Sequence, residues 1–445
     1  MDIVILGAGA SGMVAALTAA EKKENRVVLL ERQARVGRKL LATGNGRCNL
    51  TNTGASPAHY HGEDPAFVRP ALAAFPPEAA LEYFKGLGLV TVEEPGGRVY
   101  PLSDSANSVV DVLRFALDAA GVELRPSCPA RSLRRDRNGG FLIETDAETL
   151  RADRLIAACG GCAGAKLGGV SEGYELLAQL GHKRTALYPS LAPILTDAEY
   201  PRALKGVRAD CRLRLLGGET PAPYNSLSFP CHPERSEAES KDLSKDSSSL
   251  ALLRMTSFKC DNVLGTSEGE VQFTEQGVSG PAAFELSRAA ATGGKGLTLA
   301  ADFFRAYDGD AVLALLRARR ESLPALPASD ALTGMLHNRL GRMLVKYAGL
   351  DGNAPLAALE DAALAGLARA CKDFRLAVRG VAGFDAAQVT AGGLRTSGFN
   401  PETLESWFVP GLFACGELLD VDGDCGGYNL QWAWASGRLA GRLGT

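Results

Sequence analysis

The first spacing with chemical meaning lies in Gly7-Ala8-Gly9-Ala10-Ser11-Gly12. Glycines in this pattern serve three purposes. Gly7 permits a tight turn, Gly9 lets a pyrophosphate approach the backbone, and Gly12 lets the following helix sit against the strand. The N–H groups of Ala10 and Ser11 would then belong to a helix start, where unsatisfied donors and partial positive charge favour phosphate. Glu31, with Arg32 beside it, falls about 20 residues later, where a carboxylate accepts hydrogen bonds from ribose hydroxyls and disfavours a 2′-phosphate. An ordinary tight turn is the alternative. The order strand, glycines, helix, strand, acid argues for a dinucleotide instead.

The loop after Glu31 extends the argument. Between Arg35 and Asn52 the chain holds Lys39, Gly44, Asn45, Gly46, Arg47, Cys48 and Asn49, an unusual density of glycines, cations and amides. Such a segment can lay backbone N–H groups and amide side chains along a second phosphate and an isoalloxazine edge. A plain NAD domain has little use for it, so FAD is the expected cofactor. Cys48 is the candidate acid for a proton-transfer step, and a packed thiol is the equal alternative.

Two further groups weigh less. Cys159-Gly160-Gly161-Cys162 makes a C-x-x-C, which reads either as a redox dithiol or, better, as two small buried hydrophobes around a glycine turn. His59 and His61 read as a solvated loop pair, and no metal site is expected.

The elements that must position these residues follow from apolar periodicity. Asp2–Leu6 and Arg26–Leu30 read as buried parallel strands, with a small-residue helix between them. Residues Gly121–Ala158 alternate short strands with turn signals, a small antiparallel meander in which Cys128-Pro129-Ala130 opens a strand, Ala130 being a candidate backbone contact for adenine. Leu155–Ala158 is another buried strand.

Leu191 to about Lys372 reads as an insertion. Its strands come first (Arg212–Leu216, Val271–Thr274, Leu297–Ala300) and its helices later (Ala311–Arg320, Met335–Ala348). Gly277–Pro281 is a turn feeding a helix. Asn225–Lys259 is polar and serine-rich, with too little apolar content to order, and is expected to be a disordered surface loop. Gly411–Cys415 is the last strand, and the final helix starts near Gly427, its Trp432 and Trp434 belonging to the core.

Composition permits this plan. The chain has 445 residues, 46% hydrophobic and 22% charged, with a net charge of −3. A globular protein of two or three domains fits; a disordered or fibrous one does not. No apolar run reaches the roughly 20 residues that span a bilayer, and the N-terminal residues lack a secretory pattern. Ten scattered cysteines do not make a disulfide scaffold. The expected compartment is the cytoplasm.

The motifs closely resemble those of the BaiN/YhiN-like flavoproteins. The match is carried by Gly7–Gly12, the loop Lys39–Asn52 (KLLATGNGRCNLTN), Gln272–Pro281, Thr390–Leu394 with its Gly392 and Gly393, and the tail from Pro410 to Gly437. The resemblance implies an α/β fold: a Rossmann-type FAD-binding domain, glutathione-reductase-like, interrupted by an inserted β-barrel plus helical domain. On this reading residues 1–190 and 373–445 form the FAD-binding domain and 191–372 the insertion. It also implies that Gly160 and Gly161 form a second glycine turn near the pyrophosphate. Gly416 and Glu417 would lie at the last strand's end, Glu417 on the ribityl hydroxyls. The N–H groups of Gly427, Tyr428, Asn429 and Leu430 would face the N1–C2=O edge of reduced flavin, where a helix start contributes about 0.3–1 kcal/mol, up to ~2 when partly buried.

Function follows as an expectation. Only one complete dinucleotide fingerprint is present, so NAD(P)H would dock transiently as electron donor. The leading reading is an FAD-dependent oxidoreductase that reduces a conjugated C=C bond, in a small-molecule or nucleobase substrate: a steroid-like enone, or uridine to dihydrouridine in ribosomal RNA. Arg202, Lys205, Arg208, Arg212 and Arg214 concentrate cations on the insertion and would serve an RNA partner. An amine oxidase passing electrons to oxygen, and a non-catalytic flavin-binding protein, are the alternatives. No membrane or metal partner is expected.

Overall fold

A computed structural model describes residues 1–137, 139–218 and 262–444. The expected disordered loop, Asn225–Lys259, lies outside the described residues. The chain divides into two compact units, Met1–Pro193 with Val381–Thr445, and Ile194–Gly380.

The first unit begins with β1 (Asp2–Leu6), α1 (Ala10–Ala19) and β2 (Arg26–Leu30). In both strands every residue after the first is buried, as continuous β-branched and leucine runs require when both faces of a parallel sheet are covered. β3 (Glu123–Arg125) and β4 (Arg154–Ala157) follow. Between them Ala130–Arg135, Phe141–Thr145 and Thr149–Ala152 form the three-stranded antiparallel meander.

The chain then enters the second unit. β5 (Ile194–Thr196), β6 (Arg208–Gly217), β7 (Asn262–Phe273), β8 (Gly277–Ser279), β9 (Thr298–Asp302) and β10 (Phe374–Val381) close into a barrel in the order β5-β8-β7-β6-β9-β10. Its interior is packed by Leu213, Val271, Phe273, Val278, Leu299, Ala301, Phe374 and Leu376, all buried. Alternate residues of each strand point inward, so this small barrel is a core. Helices Pro281–Thr292, Gly309–Ser322, Asn338–Tyr347 and Asp361–Lys372 belong to the same unit.

Two expectations shift here. The expected helix Met335–Ala348 starts only at Asn338, because the His337 ring accepts the Arg339 N–H and caps it. The second boundary falls at Gly380/Val381 and not at 372/373, because β10 pairs antiparallel with β9 to complete the barrel.

Back in the first unit, β11 (Leu412–Ala414) and α2 (Tyr428–Gly441) complete the fold. The sheet has the order β11-β4-β1-β2-β3, all neighbours parallel. α1 and α2 pack in unusually close contact. A Cβ added at Gly437 would lie 2.4 Å from the Ser11 carbonyl oxygen, and one at Gly441 2.6 Å from that of Ala15. Trp432 and Trp434 are buried beneath this contact. Their indole N–H groups donate to the carbonyls of Gly416 (3.1 Å) and Leu50 (2.8 Å).

Candidate functional site

The chemistry-bearing residues gather at the carboxyl ends of β1, β2, β4 and β11, where ligands bind in open parallel sheets. β1 turns into α1 through Gly7, whose φ of 100° favours glycine. A Cβ there would meet the Ala158 carbonyl oxygen at 2.5 Å, and one at Gly12 would meet the Gly7 carbonyl oxygen at 1.9 Å. At Gly9 the opposite holds: a Cβ would find nothing within 4 Å. The first bond of α1 is Met13 N–H to the Gly9 carbonyl, and no side chain caps the helix. The N–H groups of Ala10, Ser11 and Gly12 therefore have no acceptor within the helix.

Glu31 stands beside this turn. One carboxylate oxygen accepts the Ala8 N–H at 3.0 Å, the other the Gln33 N–H at 2.8 Å. The Cys128 N–H donates to the Glu31 carbonyl at 2.8 Å, which brings the strand opening at Ala130 alongside.

The loop Lys39–Asn52 is joined to the entrance of α2. Asn52 Nδ2 donates to the Gly426 carbonyl at 2.9 Å, and the Thr51 hydroxyl donates to Gln431 Oε1 at 2.7 Å. Gly427, with φ 105°, sits so close that a Cβ would lie 2.5 Å from the Thr51 carbonyl. Within the loop Gly44 and Asn45 are both left-handed. α2 also lacks a capping side chain, and its first bond is Gln431 N–H to the Gly427 carbonyl. Tyr428, Asn429 and Leu430 thus form a first turn whose N–H groups have no acceptor within the helix.

Glu417 links the remaining segments. Lys39 Nζ donates to both its oxygens, at 2.8 and 2.6 Å, and the Thr390 N–H donates to Oε1 at 3.0 Å. The Gly161 Cα faces the same carboxylate, since a Cβ there would lie 2.7 Å from Oε1, while at Gly160 a Cβ would meet nothing within 4 Å. Gly416 donates its N–H to the Ser436 hydroxyl, and a Cβ on it would press on Ser11 Oγ. The first glycine turn and the C-terminal segment are thereby in contact.

One expected role, that of Cys48, fails, and several other candidate residues have partners inside the protein. Cys48 is 0% exposed, and burial pushes its thiol up to about 12. Nothing outside the core can reach it, so the packed-thiol alternative holds and the acid role does not. The Arg47 guanidinium binds Glu94 (2.6 Å) and Asp104 and lies over the Tyr100 ring, tying the loop to strands Thr91–Glu94 and Arg98–Pro101. Arg32 meets the Gly168 carbonyl and Glu172. The Asn429 side chain holds the preceding loop, donating to the carbonyls of Gly423 and Asp424 and accepting the Gly423 N–H. Gly392 and Gly393 serve chain crossing: a Cβ would lie 2.1 Å from the Ala186 carbonyl oxygen at the first and 2.5 Å from Leu419 at the second, and the Gly393 N–H donates to Thr185. The thiols of Cys159 and Cys162 are both raised by burial, which disfavours the thiolate a dithiol needs.

Sequence reasoning missed a cluster beside α2. Asp424 Oδ2 lies 2.9 Å from His59 Nδ1 and Oδ1 lies 2.7 Å from His61 Nε2. Burial pushes the Asp424 carboxyl up, but the hydrogen bonds from His61 and His59 outweigh it and hold the group below its ordinary range. The histidines were noticed; nothing local ties them to an aspartate so far along the chain.

Orphaned polar atoms test the fit of FAD. Asn49 Oδ1 is buried without a hydrogen-bond partner, beside Gly427. The Tyr174 hydroxyl is likewise buried and unpartnered, and Glu417 is among the charges acting on it. Buried polar groups lack partners only rarely. Two uncapped helix starts, open space over Gly9 and Gly160, and these orphans suit a long ligand bearing phosphates at one end and hydrogen-bonding edges at the other. Among the described residues no cluster suits a metal ion, and no helix is long and apolar enough to cross a membrane.

Sheet, glycine turn and carboxylates at the strand ends define a dinucleotide-binding protein of the Rossmann type, and the family and relatives it matches make it an FAD-dependent oxidoreductase. The family described as the HI0933-like protein Rossmann domain matches residues 1–443, and the chain belongs to it. It is 37% identical over 444 residues to the 3-dehydro-bile acid delta(4,6)-reductase of Clostridium scindens, covering 99% of this chain and 98% of that one. It is 28% identical over 435 residues to the ribosomal RNA dihydrouridine synthase of Escherichia coli, covering 98% and 96%. Among solved structures it is similar to the 3-ketosteroid-delta4-(5alpha)-dehydrogenase of Rhodococcus jostii RHA1, with a TM-score of 0.43 and 15% identity over 99% of this chain and 95% of that one.

Proposed function

We propose that the protein reduces the conjugated C=C bond of a steroid-like enone, with NADH or NADPH as a transient donor. FAD, when bound, supplies hydride transfer through its N5. The first turn of α1 holds the pyrophosphate, and the Glu31 carboxylate takes the adenosine ribose. Lys39 and Glu417 bind the ribityl and phosphate stretch with Gly160, Gly161 and Gly416. The N–H groups at the start of α2 face the pyrimidine edge, where negative charge grows on reduction.

The observation that carries the choice of substrate is the charge pairing on the barrel. Lys205 meets Glu275 (3.3 Å), Arg208 meets Glu270 (3.6 Å), Arg212 meets Glu268 (2.6 Å) and Arg214 meets Asp373 (2.9 Å). Arg305 bridges Asp210 and Glu268. Four of the five cations that sequence reasoning set aside for RNA are paired: Arg208 and Arg212 across the β6–β7 ladder, Arg214 with Asp373 and Lys205 with Glu275, which lowers the excess positive charge a phosphate polymer needs. The 37% identity to a bile acid reductase supports the same choice. Uridine in ribosomal RNA is the second reading, favoured by the likeness to the dihydrouridine synthase. The free cysteines among the described residues suit a reducing compartment, so we place the activity in the cytoplasm.

Anaerobic stopped-flow tests this. The flavin should bleach with a nicotinamide and recolour with a 3-oxo-4-ene bile acid, with ligand affinity flat in salt. Recolouring by ribosomal RNA, with affinity falling steeply as salt rises, would transfer the assignment to RNA. Release of hydrogen peroxide with small amines would transfer it to amine oxidation.

A further inference from the structure

The flavin cradle does not account for His59, Asp424 and His61. Strand Asp422–Gly423 pairs antiparallel with Tyr60–His61, Asp422 opposite His61, and the Asp424 N–H donates to the His59 carbonyl at 3.0 Å. That pairing sets the Asp424 carboxylate between the two imidazoles. The His59 ring lies flat on the ring of Tyr428, centroids 4.2 Å apart and planes 17° apart. Tyr428 is the first residue of α2, and the Tyr60 hydroxyl donates to its carbonyl at 3.0 Å. Asn429 locks the loop bearing Asp424. His59 is thus fixed on two sides, by a stack and by a carboxylate.

A carboxylate that accepts from Nδ1–H fixes the tautomer and turns Nε2 outward, the arrangement by which an aspartate orients an acid–base histidine. Among the described residues His59 Nε2 makes no hydrogen bond, and the side chain is 35% exposed. It can therefore meet a ligand and regain a proton from water.

We propose that His59 is the acid that protonates the substrate, with Asp424 the positioning residue and His61 a second imidazole sharing its charge. This rests on the C=C reduction proposed above. FAD, when bound and reduced, would supply a hydride, with its two electrons, to the carbon β to the carbonyl. The π pair of the C=C bond takes the proton from His59 Nε2–H at the α carbon. The imidazolium becomes neutral, the flavin is left oxidised, and the nicotinamide restores its electrons.

The test starts from FAD-loaded protein reduced anaerobically with dithionite and mixed with a 3-oxo-4-ene bile acid. His59→Ala should keep its FAD absorbance, reoxidise about 10²–10⁴-fold more slowly, and recover speed when imidazole is added. Asp424→Asn, which spares the Tyr428 stack, should slow the same step with KM little changed. A readout free of turnover comes from ¹⁵N spectra of histidine-labelled oxidised protein, with only five rings to assign. His59 Nδ1 should be protonated in the wild type and lose that preference in Asp424→Ala. Wild-type speed in His59→Ala, a slow variant deaf to imidazole, or an unprotonated Nδ1 in the wild type would each overturn the proposal alone. Reduced wild type that the enone fails to reoxidise would overturn the reduction reading, and the acid with it.

Discussion

Lys39 Nζ binds both carboxylate oxygens of Glu417 across 378 positions of chain. The pair, with Thr390 on the same carboxylate, joins the loop Lys39–Asn52 to the end of the last strand. In Glu417→Gln the charge-assisted contacts are lost. A hydrogen bond to a charged group is worth about 1.5–3 kcal/mol, so FAD affinity should fall roughly tenfold to a hundredfold. Quenching of flavin fluorescence on titration into stripped protein measures it, and unchanged affinity removes Glu417 from the site.

Gly9 and Gly437 separate binding from folding. Gly9 has φ −85°, which any residue adopts, and open space where a Cβ would go. Gly9→Ala should melt like the wild type yet lose its colour. Gly437→Ala forces a methyl group 2.4 Å from the Ser11 carbonyl oxygen, and overpacking of this kind costs about 1–3 kcal/mol. Thermal unfolding followed by far-UV circular dichroism, with flavin absorbance alongside, checks both.

Cys48→Ala should keep kcat within about threefold, where loss of a general acid costs about 10²–10⁴. Its effect belongs in stability, at about 1 kcal/mol for a small buried group. Steady-state kinetics beside urea unfolding tells the two apart.

His182 sets an acid limb. Its ring is stacked on Phe399, packed against Phe408 and hydrogen-bonded to Ser406, and burial lowers its pKa from 6.5 to about 4. Between those values the unfolded chain holds the proton and the folded one does not. Stability should be level above pH 6.5 on this account and fall as pH drops towards 4, by about 3 kcal/mol in all. Urea midpoints at pH 7.5 and 4.5 should lie closer together in His182→Gln than in the wild type.

The parts legible in the sequence were those whose meaning is local. Gly7–Gly12 and Glu31 lie within one βαβ unit, so strand period, glycine spacing and acid could be read in a single window. Three of the six barrel strands showed as apolar runs, Gly277–Ser279 read as a turn although it is a strand, and Phe374–Gly380 reads with the FAD-binding domain because only its pairing with Thr298–Asp302 reveals its place. Cys48 was misjudged because loop composition does not tell which side chains turn inward; its left-handed φ of 63° and 0% exposure are tertiary facts. The basic run on β6 looked free because its carboxylates come from β7 and from Asp373 after a later helix. Asp424 and its histidines were invisible as a group for the same reason: the sheet ladder, not the spacing, brings them together.

The order of assembly follows from β11. β4 has β1 on one side and β11 on the other, and α2 seats its glycines on α1. During synthesis the opening βαβ unit therefore waits, with one sheet edge unpaired and one helix face bare, through the whole barrel unit and until the last strand and helix emerge from the ribosome. A nascent chain halted before Leu412 would have the glycine turn but neither the strand beside β4 nor the helix against α1.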